Sequence, residues 1–141
     1  MIDIKNEQDK LTYTKQMDTI IRNVIITSFK CENVAECGVS VLITDNERIR
    51  ELNREYRGKD AVTDVLSFPL NDEFGEEMGD IVINLERAVS QAEEFGHGID
   101  REIAFLTAHS MLHLMGYDHQ ESETEMFEKQ EKILKILEIY K

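Results

Sequence analysis

The chain has 141 residues, 41% of them apolar, and its 29 acidic against 16 basic residues give a formal charge of −13. That length and apolar share suit one domain with one core over residues 1–141. No stretch is long and apolar enough to span a bilayer, and Met1-Ile2-Asp3-Ile4-Lys5-Asn6-Glu7 lacks the charged-then-apolar pattern of a secretory signal, so a cytoplasmic protein is expected. In chain order, Ile2 to Lys5 alternates like a short strand, and Tyr13 to Phe29 carries Met17, Ile20, Ile21, Val24 and Ile25 at helical spacing. Val39 to Thr44 reads as a central strand. Asp45 is placed to cap a helix over Glu47 to Arg57, which Gly58 ends. Val62 to Phe68 and Asp80 to Asn84 are β-rich, the former stopped by Pro69, the chain's only proline. Leu85 to Glu94 is helical, Gly96-His97-Gly98 is a loop, and Asp100 is the expected N-cap of a helix over Arg101 to Met115. The last helix starts near Glu121 and shows Met126, Gln130, Ile133, Leu134 and Leu137, with glutamates early and lysines late as the helix dipole favours.

The order β, α, β, α, β, β, α, α, α predicts an α+β fold: a single mixed β-sheet of about four strands covered by helices. The two strands flanking the acidic segment Asp72-Glu73-Phe74-Gly75-Glu76-Glu77 suit an antiparallel pair. Cys31 and Cys37, separated by five residues, fit neither a zinc ribbon nor a redox pair and are expected as reduced thiols.

Three of the four histidines fall in His109-Ser110-Met111-Leu112-His113-Leu114-Met115-Gly116-Tyr117-Asp118-His119. On an α-helix His109 and His113 are one turn apart, about 6 Å along the axis and about 40° around it. Gly116 can end the helix in the left-handed conformation, so that the chain turns back and brings His119 to the same point. With Ile103, Phe105, Leu106, Met111, Leu112, Leu114 and Met115 the helix is apolar on nearly all sides and is expected to be buried. Two imidazoles on a buried helix need partners, and a shared metal supplies one for each. Three neutral nitrogens with nothing obvious in fourth place resemble a catalytic zinc site, one ion per chain, without the carboxylate shell that magnesium prefers. The spacing matches the zincin-like skeleton His-Glu-x-x-His-x-x-Gly-x-x-His. Ser110, however, stands where those peptidases carry the glutamate that serves as general base. A serine does not take a proton from metal-bound water at neutral pH, so a hydrolase other than a peptidase is expected.

A strongly negative chain repels polyanions as a whole, and any nucleic-acid contact must be local. Between positions 45 and 60, five acidic residues (Asp45, Glu47, Glu51, Glu55, Asp60) balance five basic ones (Arg48, Arg50, Arg54, Arg57, Lys59). Arg50, Arg54 and Arg57 share a helix flank. Arg48 and Arg50 read as members of weak surface pairs with glutamates. Arg57 and Lys59 flank Gly58 at the helix end, where a loop can present both to a phosphate.

With these segments side by side, His109 to His119, Asn53-Arg54-Glu55-Tyr56-Arg57-Gly58-Lys59-Asp60 and Thr63-Asp64-Val65-Leu66-Ser67-Phe68-Pro69, the chain resembles the YbeY family of bacterial endoribonucleases. Gly79-Asp80-Ile81, Arg101-Glu102 and Met126-Phe127-Glu128-Lys129-Gln130-Glu131 also look like family segments. The resemblance departs at Ser110 and Val62, where the family usually has glycine and proline, and Ser110 is expected to add a small side chain beside the metal. It implies a mixed-sheet α+β fold with zinc on His109, His113 and His119, and single-strand-specific cleavage of RNA. It further implies 3′ maturation of small-subunit (16S) ribosomal RNA and a part in ribosome quality control. The implied partners are ribosomal RNA and the small ribosomal subunit, with ribosomal proteins or an assembly GTPase left open and neither membrane nor DNA expected.

The mechanism expected from these residues has zinc lowering the pKa of bound water towards about 7 and polarising a phosphoryl oxygen. Arg57 would act as the catalytic charge at phosphorus, and Arg54 and Lys59 as substrate contacts. The base is open between metal-bound hydroxide, the RNA 2′-hydroxyl, and Asp118, whose other reading is to orient a histidine ligand. Two rivals stand beside this reading: a non-enzymatic zinc-containing ribosome-assembly factor and, weakened by Ser110, a metallopeptidase.

Overall fold

The structure is a computed structural model that describes residues 1–70, 75–117 and 119–139, the side chains of 119–122 excepted. Among these residues the elements run β1 (Ile2–Asn6), α1 (Lys15–Cys31), β2 (Gly38–Thr44), α2 (Asn46–Arg57), β3 (Val65–Pro69), β4 (Glu77–Asn84), α3 (Leu85–Phe95), α4 (Ile99–Leu114) and α5 (His119–Ile136). The element order is the one that the apolar periodicity predicts. The strands form one mixed sheet in the order β1-β2-β4-β3. β1, β2 and β4 are parallel, and β3 lies antiparallel to β4 at the edge.

Alternation along the strands sorts the apolar side chains onto two faces. Val39, Val41, Ile43, Ile81 and Ile83 face α1 and α4, where Ile21, Ile25, Phe29, Ile103, Leu106 and Met111 close the main core. On the other face Leu66 and Val82 pack under Ile49 and Leu52 of α2. A third cluster joins Val24 of α1 and Ile133 and Leu134 of α5 to Ala104 and Ala108 of α4. Alanines one turn apart on α4 give its neighbours a close approach. α4 is therefore enclosed by sheet and helices together.

Local chemistry explains where boundaries move. Thr14 Oγ1 accepts the Met17 N–H at 3.1 Å, so α1 starts at Lys15 and Tyr13 stays outside it. Asp45 caps α2 as expected, taking the Arg48 N–H at 2.9 Å, and Gly58 ends it at φ +69°. Asp100 is not the cap of α4. Gly98 holds that position without a side-chain bond, and Asp100 lies in the first turn, where it accepts from Gln16 Nε2 at 2.7 Å. β3 begins at Val65, not Val62, because Asn84 Nδ2 donates to the Thr63 carbonyl at 3.0 Å and holds that residue in the connection. β3 stops at Pro69 as expected, with the proline itself as its last paired residue. An edge strand tolerates it because its outer side needs no N–H. Half of the acidic segment, Asp72, Glu73 and Phe74, lies outside the described residues. Cys31 and Cys37 are free thiols, as expected.

Gly79 in β4 sets how closely α4 approaches the sheet. A Cβ there would lie 2.5 Å from the Phe68 carbonyl oxygen and 2.8 Å from Leu114 Cδ2. The last turn of α4 is thereby seated on the β3–β4 edge.

Candidate active site

From Arg101 to Leu114 every residue of α4 is buried except Phe105, His109 and His113. Their spacing of four residues places these three on one stripe of an otherwise enclosed helix. The Phe105 and His109 rings stack at 6.3 Å with 21° between planes, and the His109 and His113 rings stand edge to face at 4.7 Å. The expectation of a buried helix with two co-directed imidazoles is borne out.

Gly116 does what the motif requires. At φ +102° it receives the left-handed position after α4, its N–H donates to the His113 carbonyl at 3.0 Å, and the Tyr117 N–H donates to the Leu112 carbonyl at 3.0 Å. Two nested bonds of this kind stop the helix and turn the chain. α5 then begins at His119. The side chain of His119 and all of Asp118 lie outside the described residues.

The donors present suit a zinc ion in chemistry and placement. Two imidazoles one turn apart, both on the stripe that meets solvent, are the pair that a helix supplies to a three-histidine site. Among the described residues no group of three His, Cys, Asp or Glu side chains is gathered, so a complete set depends on His119. A ligating imidazole needs its second nitrogen held, and His109 has this: Gln130 Nε2 lies 2.7 Å from its Nδ1. Gln130 is 3% exposed on α5, and a half-turn of its amide offers an acceptor to an Nδ1–H. Nothing in the spacing of the motif announces this partner, which comes from a different helix.

Ser110 departs from expectation. It is fully buried, and its Oγ finds no hydrogen-bond partner among the described residues. A hollow of about 500 Å³ between α4 and α5 is lined by Phe105, His109, Met126, Phe127, Gln130 and Glu123, and Ser110 is not part of its wall. Ser110 points into the core, about 100° around the helix from His109, and does not narrow that space.

The cations of α2 separate into two kinds. Arg48 pairs with Glu7 and Glu51, both at 3.2 Å, as expected, whereas Arg50 pairs at 2.6 Å with Asp60 beyond the helix end and not with a helix glutamate. The Arg50 hydrogen bond holds the Asp60 carboxyl below its ordinary value. Arg54, Arg57 and Lys59 are exposed and make no side-chain hydrogen bond or ion pair among the described residues. Buried Asn53 shapes the loop that presents them, its carbonyl accepting from the Lys59 N–H at 3.2 Å and its Nδ2 donating to Ala61 O at 3.0 Å.

These cations do not line the hollow beside His109. Tyr56, next to Arg57, packs edge to face on Phe68 of β3 at 5.6 Å, while the Phe68 backbone and Leu114 of α4 converge on Gly79. α2, which carries the cations, and α4, which carries the histidines, therefore pack on opposite faces of the sheet. A groove of about 480 Å³ beside Tyr56 and Phe68, floored by Leu42 and Val82, adjoins the cation cluster.

The fourth histidine belongs elsewhere. His97 Nε2 lies 2.7 Å from Glu102 Oε1, and Glu102 Oε2 accepts from Gln91 Nε2 at 2.9 Å, a buried joint between α3 and α4. Sequence reasoning missed it, although Glu102 stands seven positions before His109 and hence on nearly the same helix face.

Comparison with known proteins gives a consistent set of relatives. Residues 3–138 match the family model described as Endoribonuclease YbeY. A Carboxydothermus hydrogenoformans protein of that name is 49% identical over 140 residues, covering 97% of both chains. One from Clostridioides difficile is 47% identical over 146 residues, covering 96% of this chain and 95% of its own. The solution structure of TM1509 from Thermotoga maritima superposes with a TM-score of 0.67 at 32% identity, covering 95% of this chain and 87% of that one. No described helix is long and apolar enough to cross a membrane.

Proposed function

The chain belongs to the endoribonuclease YbeY family, and from that premise we propose that it is a zinc-dependent, single-strand-specific endoribonuclease of the cytoplasm. Its proposed role is 3′ maturation of small-subunit ribosomal RNA and ribosome quality control, with the small ribosomal subunit as partner. The observation that carries the reading is the stripe Phe105–His109–His113, the part of α4 between Arg101 and Leu114 that is not buried.

His109, His113 and His119 would hold the ion. Zinc bound by three imidazoles supplies a Lewis acid with a position left for water or substrate. The other tasks fall to the chain. Gln130 fixes the ring of His109, and the enclosure of α4 keeps the imidazoles in register. Arg57, uncommitted to any carboxylate among the described residues, clamps a phosphate through its planar fork of donors and offsets negative charge at phosphorus. Arg54 and Lys59 hold neighbouring phosphates, and the exposed ring of Tyr56 offers a face on which an unpaired base can stack. This local arrangement supports RNA contact in a chain of charge −13.

The test is cleavage of a defined single-stranded RNA by purified protein, beside matched preparations of Arg57→Ala and His113→Ala. Cleavage by the wild type alone is expected. Equal cleavage by all three would identify a contaminant and remove the nuclease reading, while zinc bound without cleavage would leave an assembly factor.

A further inference from the structure

The turn that leads to His119 is tied down at one carboxylate. Tyr117 Oη donates to Glu32 Oε1 at 2.5 Å, and Lys129 Nζ donates to Glu32 Oε2 at 2.9 Å. The same ammonium lies 5.4 Å from the centroid of the Tyr117 ring. Glu32 is the C-cap of α1, Tyr117 follows Gly116, and Lys129 is on α5, so three separate parts of the chain meet here. The Glu32 side chain is only 11% exposed. Burial pushes its carboxyl up, but the hydrogen bonds from Tyr117 and Lys129 outweigh this and hold it below the ordinary carboxyl value. The cluster is thus an ionised carboxylate with both oxygens engaged, the strongest ordinary kind of side-chain tie.

Its position gives it a consequence for the metal. Two residues of chain span at most about 7 Å, so wherever Tyr117 is fixed, His119 is confined nearby. The nested bonds at Gly116 set the direction in which the chain leaves α4, and the Tyr117 tie sets where it lands. Without the tie, the donor on the turn would have to lose its conformational freedom when the ion binds, which weakens binding.

We propose that Tyr117, Glu32 and Lys129 are positioning residues for the metal centre, holding the turn so that His119 is already near His109 and His113 before an ion arrives. The proposal rests on the reading of these three histidines as ligands. None of the cluster touches the ion; it acts through the backbone of the turn.

Zinc affinity of the metal-free protein, measured by competition with a chromogenic chelator, tests this. Wild type, Tyr117→Phe, Glu32→Gln, the double variant and His109→Ala are compared at 25 °C, with circular dichroism verifying that each is folded. Tyr117→Phe keeps the ring beneath Lys129 and removes only the hydroxyl. Each single variant should bind zinc about tenfold more weakly, the scale of an outer partner lost from a metal site. The double variant should lose less than the two singles summed, because both act on the same tie. Affinities within twofold of wild type, while His109→Ala abolishes binding, would reduce the cluster to a simple staple between helices and overturn the proposal. A wild type that binds no zinc would overturn the ligand reading and this inference with it. If Tyr117→Phe does not fold, Lys129→Met carries the test: a several-fold loss of affinity supports the proposal and an unchanged affinity overturns it.

Discussion

At the C-terminal end of α4, His109 and His113 are half-buried and stand edge to face, with His109 stacked on Phe105 and backed by Gln130 from a second helix. At the C-terminal end of α2, Arg54, Arg57 and Lys59 stand in solvent with no ion pair among the described residues, although acidic residues outnumber basic ones 29 to 16. The difference fits what each proposed ligand would demand. A metal needs donors fixed to within a fraction of an ångström, and only packing against neighbours supplies that. A phosphate on a flexible strand needs donors that are not already spoken for, and exposure supplies that. Near α2, Glu51 pairs with Arg48, Asp60 with Arg50 and Asp45 with Lys10, and the other three cations keep no carboxylate within ion-pair distance among the described residues.

The contrast breaks most completely at the histidines. His113→Ala should reduce zinc from about one ion per chain to almost none and take RNA cleavage below detection, as elemental analysis and a cleavage assay would record. Full zinc content in that variant would mean that α4 is not the ligand helix. Arg57→Ala should cut cleavage by about 10² to 10³-fold while leaving zinc content and melting temperature unchanged. Cleavage within about twofold of wild type would take Arg57 out of the chemistry, and a loss of zinc would erase the division between the two ends.

Gln130→Leu sharpens the comparison because it keeps a side chain of similar size in a buried position. With one nitrogen of His109 given to a metal, Nδ1 carries a proton that Gln130 accepts through its carbonyl oxygen. Its loss should weaken zinc about tenfold, read by chelator competition, with any fall in cleavage recovered by excess zinc. Failure of excess zinc to restore activity would show that Gln130 does more than hold the ring.

The smallest expected effect is on stability at the Glu32 tie. Because Glu32 has a lower pKa folded than unfolded, the folded chain binds fewer protons, and the tie stabilises above the ordinary carboxyl value of 4.5 and is lost as pH falls below it. The charges facing it are Lys129 and Lys132 of α5 and the hydroxyl of Tyr117. At pH 7 Glu32→Gln should melt about 5 °C below wild type, and thermal scans should find the gap closing as pH drops through 4.5 towards 3. A gap independent of pH would mean that the carboxylate's charge is not what the tie uses.

Much of this molecule was legible without coordinates. Strand alternation, the apolar spacing of the helices, Asp45 and Gly58 around α2, and Gly116 after His113 are local signals, since each depends on residues within a few positions of one another. The two half-buried histidines of α4 follow from helical spacing for the same reason. Two of the missed features depend on residues far apart in the chain: Tyr117 and Glu32 are 85 positions apart, and Gln130 is 21 from His109, whereas the His97–Glu102 joint spans only five positions but bridges two helices. Asp100 looked like a cap because its type and place were right, yet Gln16, 84 positions away, claimed its carboxylate.

The sequence alone determined the periodicities, the caps and the spacing of the histidines, because backbone geometry turns a residue's neighbours in the chain into its neighbours in space over one or two turns. The tertiary structure alone decided the strand order β1-β2-β4-β3, the burial of Ser110 away from the hollow, the packing of α2 and α4 on opposite faces of the sheet, and the carboxylate that receives Tyr117. These depend on which faces find each other when the chain closes on itself, a choice made by the burial of whole apolar surfaces and not by any short run of residues.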